Sequence, residues 1–368
     1  MKKILITGIL GQDGSNMAEY LLSLDEELEV YGSMRRISNP NYSNIESFRD
    51  HPRFHLKYMD LSDDVSVNNC FNKILPDCMI NFGANSFVGV SWDMPTLMFN
   101  VNTLGVVRCL EAIKNYKPEC RFYSAGSSEE FGDVQYTPQD LEHPPKPRSP
   151  YGASKVAARA VVKVYRESYD LYAVHATLFN HEGTRRGEEF VTRKITMGAA
   201  KAYCDSIKDE SNITSIYLGN VDAKRDWSDS EDFVKAIWLM LQKDSPQDYL
   251  LASGEAHTVR EFVELAYGEA GFHDTSWRGS GVEESFGFET ETGKWIPLVQ
   301  ISEDFYRPAE VNILLGDSSK TRLDLNWQPK VSFAELVTKM VKWDIEKAKE
   351  KENISTWPVS FPDKETVR

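Results

Sequence analysis

The segment Thr7-Gly8-Ile9-Leu10-Gly11-Gln12-Asp13-Gly14 follows a short apolar run, Lys3–Thr7, and opens an amphipathic stretch, Gly14–Ser23. Nothing else in the chain constrains its fold as tightly. A strand that turns at once into a helix needs a glycine at the tight turn, which Gly8 supplies. Gly11 lets the backbone approach a pyrophosphate, and Gly14 permits close packing of helix on strand. The helix N-terminus then presents unpaired N–H groups to phosphate oxygens. Gly8, Gly11, Gln12, Asp13 and Gly14 are therefore expected beside a dinucleotide.

Beyond this turn, short apolar runs alternate with amphipathic stretches. Strands are expected at Lys3–Thr7, Glu29–Ser33, His55–Met59, Cys78–Phe82, Arg121–Ala125 and Tyr172–Phe179. Helices are expected at Gly14–Ser23, Ser66–Ile74, Thr103–Asn115 and Pro150–Ser168. Such alternation implies right-handed crossovers and a parallel sheet covered on both faces. The expected fold is α/β, a doubly wound parallel Rossmann-type sheet with a smaller, interleaved C-terminal substrate domain. The dinucleotide domain is expected over 1–180 with a return at about 220–250, the substrate domain over 181–345, and a tail over 346–368. In the later part, Phe190–Ser206, Glu231–Gln242, Thr258–Gly271 and Ser332–Lys349 read as helices and Ser215–Gly219 as a strand. Asp274–Ser302, rich in Gly, Glu and Ser, reads as loop with short strands, and Glu350–Arg368 as a polar tail.

The formal net charge of -14 disfavours nucleic acid and anionic membranes as partners, though not a phosphorylated small molecule held by local cations. Five scattered cysteines, Cys70, Cys78, Cys109, Cys120 and Cys204, form no CxxC pair, so buried thiols are expected rather than a metal site or disulfides. No apolar run approaches the roughly 20 residues of a membrane helix, and the first is too short for a secretory signal. A soluble, cytoplasmic protein is expected.

The chemistry-bearing residues fall at strand ends. Arg35 and Arg36 follow the second strand, where an NAD-selective site usually carries an acid. Two guanidinium groups suit a 2′-phosphate, so NADP is the expected cofactor. Asp60 and Leu61 follow the third strand, where this fold brings chain near the adenine. Tyr151 and Lys155 stand one turn apart on a single helical face. An ammonium and a positive nicotinamide ring both favour the phenolate over its ordinary pKa near ~10. Ser127 can hydrogen-bond the oxygen that loses its proton. Glu129, two residues on, can serve first as base and then as acid, as elimination of water requires. Glu130 is the rival carboxylate, which alternation along an extended segment would point to the other face.

Several blocks together resemble the GDP-mannose 4,6-dehydratase family, within the extended short-chain dehydrogenase/reductase superfamily that shares the GxxGxxG spacing. They are Thr7–Ser15, Gly32–Arg36, Ser127–Gly132, Tyr151–Lys155, Leu178–Ile195 (LFNHEGTRRGEEFVTRKI), Leu218–Trp227 (LGNVDAKRDW), Gly254–Glu264 and Tyr306–Val311 (YRPAEV). The resemblance implies Ser127, Glu129, Tyr151 and Lys155 as the catalytic set, with serine where members usually carry threonine. Ser128 stands where related dTDP-glucose dehydratases carry aspartate. It further implies Ser38, Gly83, Ser86, His181 and Arg186 as cofactor contacts, and Ser86, Asn180, Lys194, Arg225, Arg307 and Glu310 as contacts to a GDP-sugar. The implied reaction is transient C4 oxidation with NADP, loss of water across C5–C6 and hydride return to C6. A homo-oligomer, dimer or tetramer, is implied by the Arg185-Arg186 loop.

The chain also departs from that pattern. Ser86–Trp92 reads SFVGVSW where members usually read like SHVxxSF, so Phe87 replaces a histidine and Gly89 removes a side chain. Asp274–Ser302 differs in length and content. These changes suit a larger sugar, and GDP-manno-heptose is the alternative substrate. A nucleotide-sugar 4-epimerase has no task for Glu129, and a non-enzymatic NADP-sensing protein has none for Tyr151 and Lys155.

Overall fold

The computed structural model describes residues 1–24, 27–208, 212–306, 311 and 313–352. In chain order its elements are β1 (Lys2–Thr7), α1 (Gln12–Ser23), β2 (Leu28–Met34), β3 (Phe54–Tyr58), α2 (Asp64–Ile74), β4 (Cys78–Asn81), α3 (Pro95–Phe99), α4 (Gly105–Tyr116), β5 (Arg121–Ala125), α5 (Pro150–Tyr169), β6 (Ala173–Leu178) and β7 (Asn180–Glu182). There follow α6 (Val191–Lys208), β8 (Ile216–Leu218), β9 (Lys224–Asp229), α7 (Ser230–Met240), β10 (Tyr249–Leu251), β11 (Ala256–Thr258), α8 (Val259–Glu269), β12 (Thr275–Arg278), β13 (Ser285–Glu289), β14 (Trp295–Ile301), β15 (Ile313–Leu314), α9 (Ser319–Leu325) and α10 (Phe333–Glu352). The chain divides into two compact units, one of Met1–Phe190, Asn220–Arg260 and Tyr306–Leu336, the other of Val191–Gly219, Glu261–Phe305 and Val337–Arg368.

The first unit is built on a seven-stranded sheet in the order β10-β6-β5-β4-β1-β2-β3. Every pairing in it is parallel. Strand order reverses between β1 and β4, the crevice where open α/β sheets bind ligands. Period-two alternation on β1 sends Ile4 and Ile6 into one layer, with Met17, Leu21 and Phe233, and Leu5 into the other, with Phe71, Leu110 and Val162. Each such buried aliphatic or aromatic side chain contributes about 1.5–3 kcal/mol. β6 is buried along its whole length, as a central strand covered on both faces must be. This is the α/β doubly wound sheet that the alternating pattern implies, with strand ends within a residue or two of expectation.

Three local differences have physical causes. The helix expected over Thr103–Asn115 is preceded by α3 and a π turn at Asn100–Leu104, which carries the buried Asn102. β9, with sequence KRDWSD, does not read as apolar, yet Asp226 and Asp229 within it are 0% exposed. The Asp226 carboxylate accepts hydrogen bonds from the backbone of Ser253 (2.7 Å), Gly254 (2.9 Å) and Gly316 (3.2 Å) and from the Ser253 hydroxyl (2.7 Å), which offsets its burial. β9 pairs with β7, β11 and β15. The last helix runs past Lys349 to Glu352, and the rest of the expected tail, residues 353–368, lies outside the described residues.

In the second unit, the stretch expected to be loop with short strands forms an antiparallel meander, β12-β13-β14, whose last strand pairs in parallel with β8. Phe286, Leu298 and Val299 bury its inner face. Arg193 and Thr196 on α6 bind Asp344 on α10, a buried polar cluster that ties the two helices together. All five cysteines are buried and none forms a disulfide. Among the described residues no helix is long and apolar enough to cross a membrane.

Candidate active site

The glycine turn opens at the carboxyl end of β1. Gly8 adopts φ 69°, a conformation glycine takes without strain, and a Cβ there would stand 2.9 Å from the Gly83 nitrogen. Gly14 faces the Gly8 carbonyl so closely that a Cβ would lie 2.4 Å from its oxygen. Gly11 occupies the N-cap of α1 without a side-chain hydrogen bond. By contrast, Asp63, Ser149 and Asp229 cap α2, α5 and α7 with their side chains. The α1 terminus is thus left open to an external anion.

The side chains beside that turn are engaged with β7. The Asp13 carboxylate lies 3.0 Å from His181 Nε2, and Gln12 Nε2 donates to the His181 carbonyl at 3.0 Å. Burial works against both charges, yet their mutual attraction wins: Asp13 is held below the usual carboxylate range and His181 above the usual imidazole value. Arg35, Arg36 and Ser38 are exposed beyond the end of β2. Asp60 turns inward to its own loop, accepting from the Ser62 amide (2.9 Å) and hydroxyl (2.7 Å), while its own N–H donates to Ser66 (2.9 Å). Leu61 is buried, and its side chain would meet a Cβ on Gly83 at 2.7 Å. Ser86 is exposed in the loop after β4.

At the end of β5 the chain does not continue extended. Ser127 caps a single 3₁₀ turn, Ser128–Glu130, with a reciprocal capping box: Ser127 Oγ accepts from the Glu129 N–H at 3.2 Å, and the Ser127 N–H donates to Glu130 Oε1 at 2.8 Å. Glu130 is consequently buried at 0% exposure against His175, while Glu129 is only partly buried. The two carboxylates differ as alternation suggested, but a turn separates them rather than a strand pleat.

α5 carries Tyr151 and Lys155 against this turn. Ser127 stands near enough to the Tyr151 phenol to act on its proton. Burial pushes that phenol up to about 12; Ser127 and the charge of Arg186 oppose the rise, and Glu129 and Glu130 add to it. Lys155 Nζ donates to the Ala125 carbonyl at 2.8 Å and lies 5.8 Å from the Tyr151 ring centre. Burial pushes Lys155 down to about 8, with Glu130 and Asp13 pulling it back up. Ser127, Glu129, Tyr151 and Lys155 are therefore neighbours, and the Gly8–Asp13 turn is close enough for Asp13 to act on Lys155.

Over residues 5–340 the chain matches the family model described as GDP-mannose 4,6 dehydratase. The chain belongs to the GDP-mannose 4,6-dehydratase family. It is 45% identical over 353 residues to the GDP-mannose 4,6 dehydratase of Drosophila melanogaster, covering 94% of this chain and 86% of that one. In fold it is similar to the dTDP-glucose 4,6-dehydratase of Bacillus anthracis in complex with NAD, at TM-score 0.75 and 20% identity, covering 95% of this chain and 98% of that one. It is likewise similar to RMD from Pseudomonas aeruginosa complexed with NADPH, at TM-score 0.72 and 20% identity, covering 94% and 100%.

Of the residues expected to contact a substrate, in the first unit Asn180 begins β7, and Arg225 is buried on β9 with a guanidinium NH donating to the Lys224 carbonyl at 3.0 Å. In the second, the Lys194 ammonium sits 3.5 Å over the Phe305 ring, and burial pushes it down to about 8. Arg307 and Glu310 lie outside the described residues. Arg186 pairs with Glu182 at 3.0 Å and stacks 3.6 Å over Phe190. Phe87, the substituted histidine position, meets Phe190 edge-on at 5.9 Å and covers Gly89, where a Cβ would approach its ring to 3.0 Å.

One supporting group escapes a reading of motifs alone. Asn102 donates to the Asn85 carbonyl (3.1 Å) and the Ser154 hydroxyl (3.0 Å), linking the loop after β4 to the tyrosine helix. Its signal is local geometry, a π turn, which sequence spacing does not reveal. The buried Glu130–His175 pair does carry a sequence signal, the Ser127-x-x-Glu130 capping spacing.

Proposed function

We propose that this chain is an NADP-dependent enzyme that removes water from the sugar of GDP-mannose, giving GDP-4-keto-6-deoxymannose. The observation that carries the reading is one tyrosine beside a serine hydroxyl and a partly exposed carboxylate, Glu129, on a three-residue turn. Tyr151 takes the proton of the sugar 4-hydroxyl, with Ser127 holding that oxygen and Lys155 supplying nearby positive charge. Glu129 takes the C5 proton and then protonates the departing 6-hydroxyl, so one carboxyl group acts as base and as acid. A bound nicotinamide dinucleotide supplies a reversible two-electron acceptor, and it ends the cycle as it began. The open α1 terminus suits its pyrophosphate, and the exposed Arg35 and Arg36 suit a 2′-phosphate, which favours NADP over NAD. Lys194, Arg225 and Arg307 are assigned to the diphosphate of the substrate, and Glu310 to its ribose. A soluble, cytoplasmic homo-oligomer, dimer or tetramer, completes the reading.

The test is incubation of purified protein with NADP and GDP-mannose, followed by mass spectrometry. The expected product is lighter by one water and, made in D2O, carries one deuterium at C5. A product of unchanged mass would point instead to a 4-epimerase, and no product with any GDP-sugar would sink the proposal. A larger kcat/KM on GDP-manno-heptose would select that alternative substrate, although the Phe87 ring lies over Gly89 and fills the space left by its missing side chain.

A further inference from the structure

We infer that Glu130 is a positioning residue for the dehydration, its buried carboxylate holding the turn that presents Ser127 and Glu129 to the tyrosine face of α5. The inference rests on the dehydratase reading. Glu130 is wholly buried, and its Oε1 receives the Ser127 N–H at 2.8 Å and lies 3.1 Å from His175 Nε2. Its Oε2 lies 3.5 Å from the Thr177 hydroxyl and 3.9 Å from the Arg159 guanidinium. Room for this carboxylate exists because residue 126 is glycine. A Cβ there would stand 2.4 Å from His175 Nε2 and 2.6 Å from Glu130 Oε1.

Arg159 is the third member of a row on α5: Tyr151, Lys155 and Arg159 recur every four residues and share one helical face. Lys155 binds the carbonyl of Ala125 just before the turn, and Arg159 reaches Glu130 at its end. The same helix that carries the phenol thus grips the turn on both sides, with Glu130 as the handle. Burying a carboxylate is costly unless it is paired, and a well-packed apolar side chain would fill such a place at least as stably. The charge here is spent on geometry instead. The charged and titratable groups around it are Glu129 on its own turn, Tyr151, Lys155 and Arg159 on α5, His175 on β6, and Asp248 beyond Arg159. Its negative charge also raises the proton affinity of both Tyr151 and Lys155.

Glu130→Gln keeps an acceptor for the Ser127 N–H and loses the charge; Glu130→Leu loses both. With GDP-mannose and NADP, Glu130→Gln is expected to lower kcat about 10-fold and Glu130→Leu about 100-fold, the loss expected when a reacting group is misplaced by about an ångström. KM for GDP-mannose and affinity for NADP should stay within about twofold, since the phosphate-binding turn is untouched. Two readouts separate positioning from mere stability. The kinetic isotope effect with C5-deuterated substrate should rise in both variants, because proton removal by Glu129 becomes slower. The acid limb of kcat against pH should move to lower pH in Glu130→Gln, because removal of a negative neighbour lowers the Tyr151 and Lys155 pKa values. A lower melting temperature with kcat per folded molecule, isotope effect and pH limb all unchanged would overturn the inference. If Glu130→Leu does not fold, the near-isosteric Glu130→Gln carries the same comparisons. Glu129→Gln serves as control: its full turnover would defeat the dehydratase reading, whereas an inactive Glu129→Gln beside a wild-type-like Glu130→Gln would defeat only the role of Glu130.

Discussion

Two glycines of the opening turn are predicted to respond differently to the same one-carbon change. At Gly14 a methyl group would stand 2.4 Å from the Gly8 oxygen and 2.9 Å from the Gly8 carbonyl carbon and Ile9 Cα, all of them backbone atoms. Ordinary contacts lie near ~3.5 Å, so the turn must move by about an ångström. Overpacking of that kind costs about 1–3 kcal/mol. At Gly11 the only close atom is the Gly8 oxygen at 3.3 Å, and φ is -77°, which alanine adopts readily. Gly11→Ala should therefore change stability by less than about 0.5 kcal/mol. If a pyrophosphate sits on this helix terminus, however, the same methyl stands in its way. Losing one charge-assisted hydrogen bond, about 1.5–3 kcal/mol, lowers NADP affinity roughly 10- to 100-fold. Thermal unfolding without cofactor and calorimetric titration with NADP read the two effects separately. Gly14→Ala should fail both assays and Gly11→Ala only the second. A Gly11→Ala protein that binds NADP like wild type would refute the placement of the pyrophosphate.

Glu129→Gln is expected to lower kcat by about 10²–10⁴-fold while NADP affinity, measured by fluorescence quenching, stays near wild type. Replacing Arg35 and Arg36 together by alanine should reduce the NADP-over-NAD preference by at least about tenfold, read from the two dissociation constants. Asp226→Ala leaves the N–H groups of Ser253, Gly254 and Gly316 without their acceptor. At about 1–3 kcal/mol for each buried donor, urea unfolding should show a loss of at least about 3 kcal/mol. Lys155, pushed down to about 8 by burial, should discharge as pH rises through that value, removing positive charge from beside Tyr151. An alkaline fall in kcat near pH 8 that moves upward in Lys155→Arg is the expected signature, and a limb unmoved by that change would assign it elsewhere.

The sheet was legible because its strands are buried on both faces: β1 and β6 read as short apolar runs bounded by polar turns, and burial on both sides leaves little else they can be. β9 was hidden by its own composition: Asp226 is tolerated inside because distant backbone N–H groups of Ser253, Gly254 and Gly316 come to meet it, and Asp229 because it caps α7 through the Glu231 N–H. The β12–β14 meander was obscured by glycine and polar turn residues that also suit a loop. At the site, Ser127, Glu129, Tyr151 and Lys155 lie in motifs with fixed spacing, so sequence brings them into view together. The roles of Asn102, Arg159 and His175 depend on which elements the fold lays side by side, and no local spacing encodes that. Glu130 stands between the two cases. Its capping relation to Ser127 is local, but its pairing with His175 joins β6 to the end of β5.

The seven-stranded sheet ends in a strand, β10, that is made only after a segment of the second unit, Val191–Gly219. Gln139 likewise finds its backbone partners at Leu315 and Asp317. On a translating ribosome, the first six strands emerge well before these late partners, a wait of roughly ten seconds at ordinary elongation speeds. Until then β6 is left with a bare apolar edge, the kind that recruits other chains. Nascent chains of this protein should therefore lean on chaperones over that interval, and engineering that transplants residues 1–190 alone would inherit the same unsealed border.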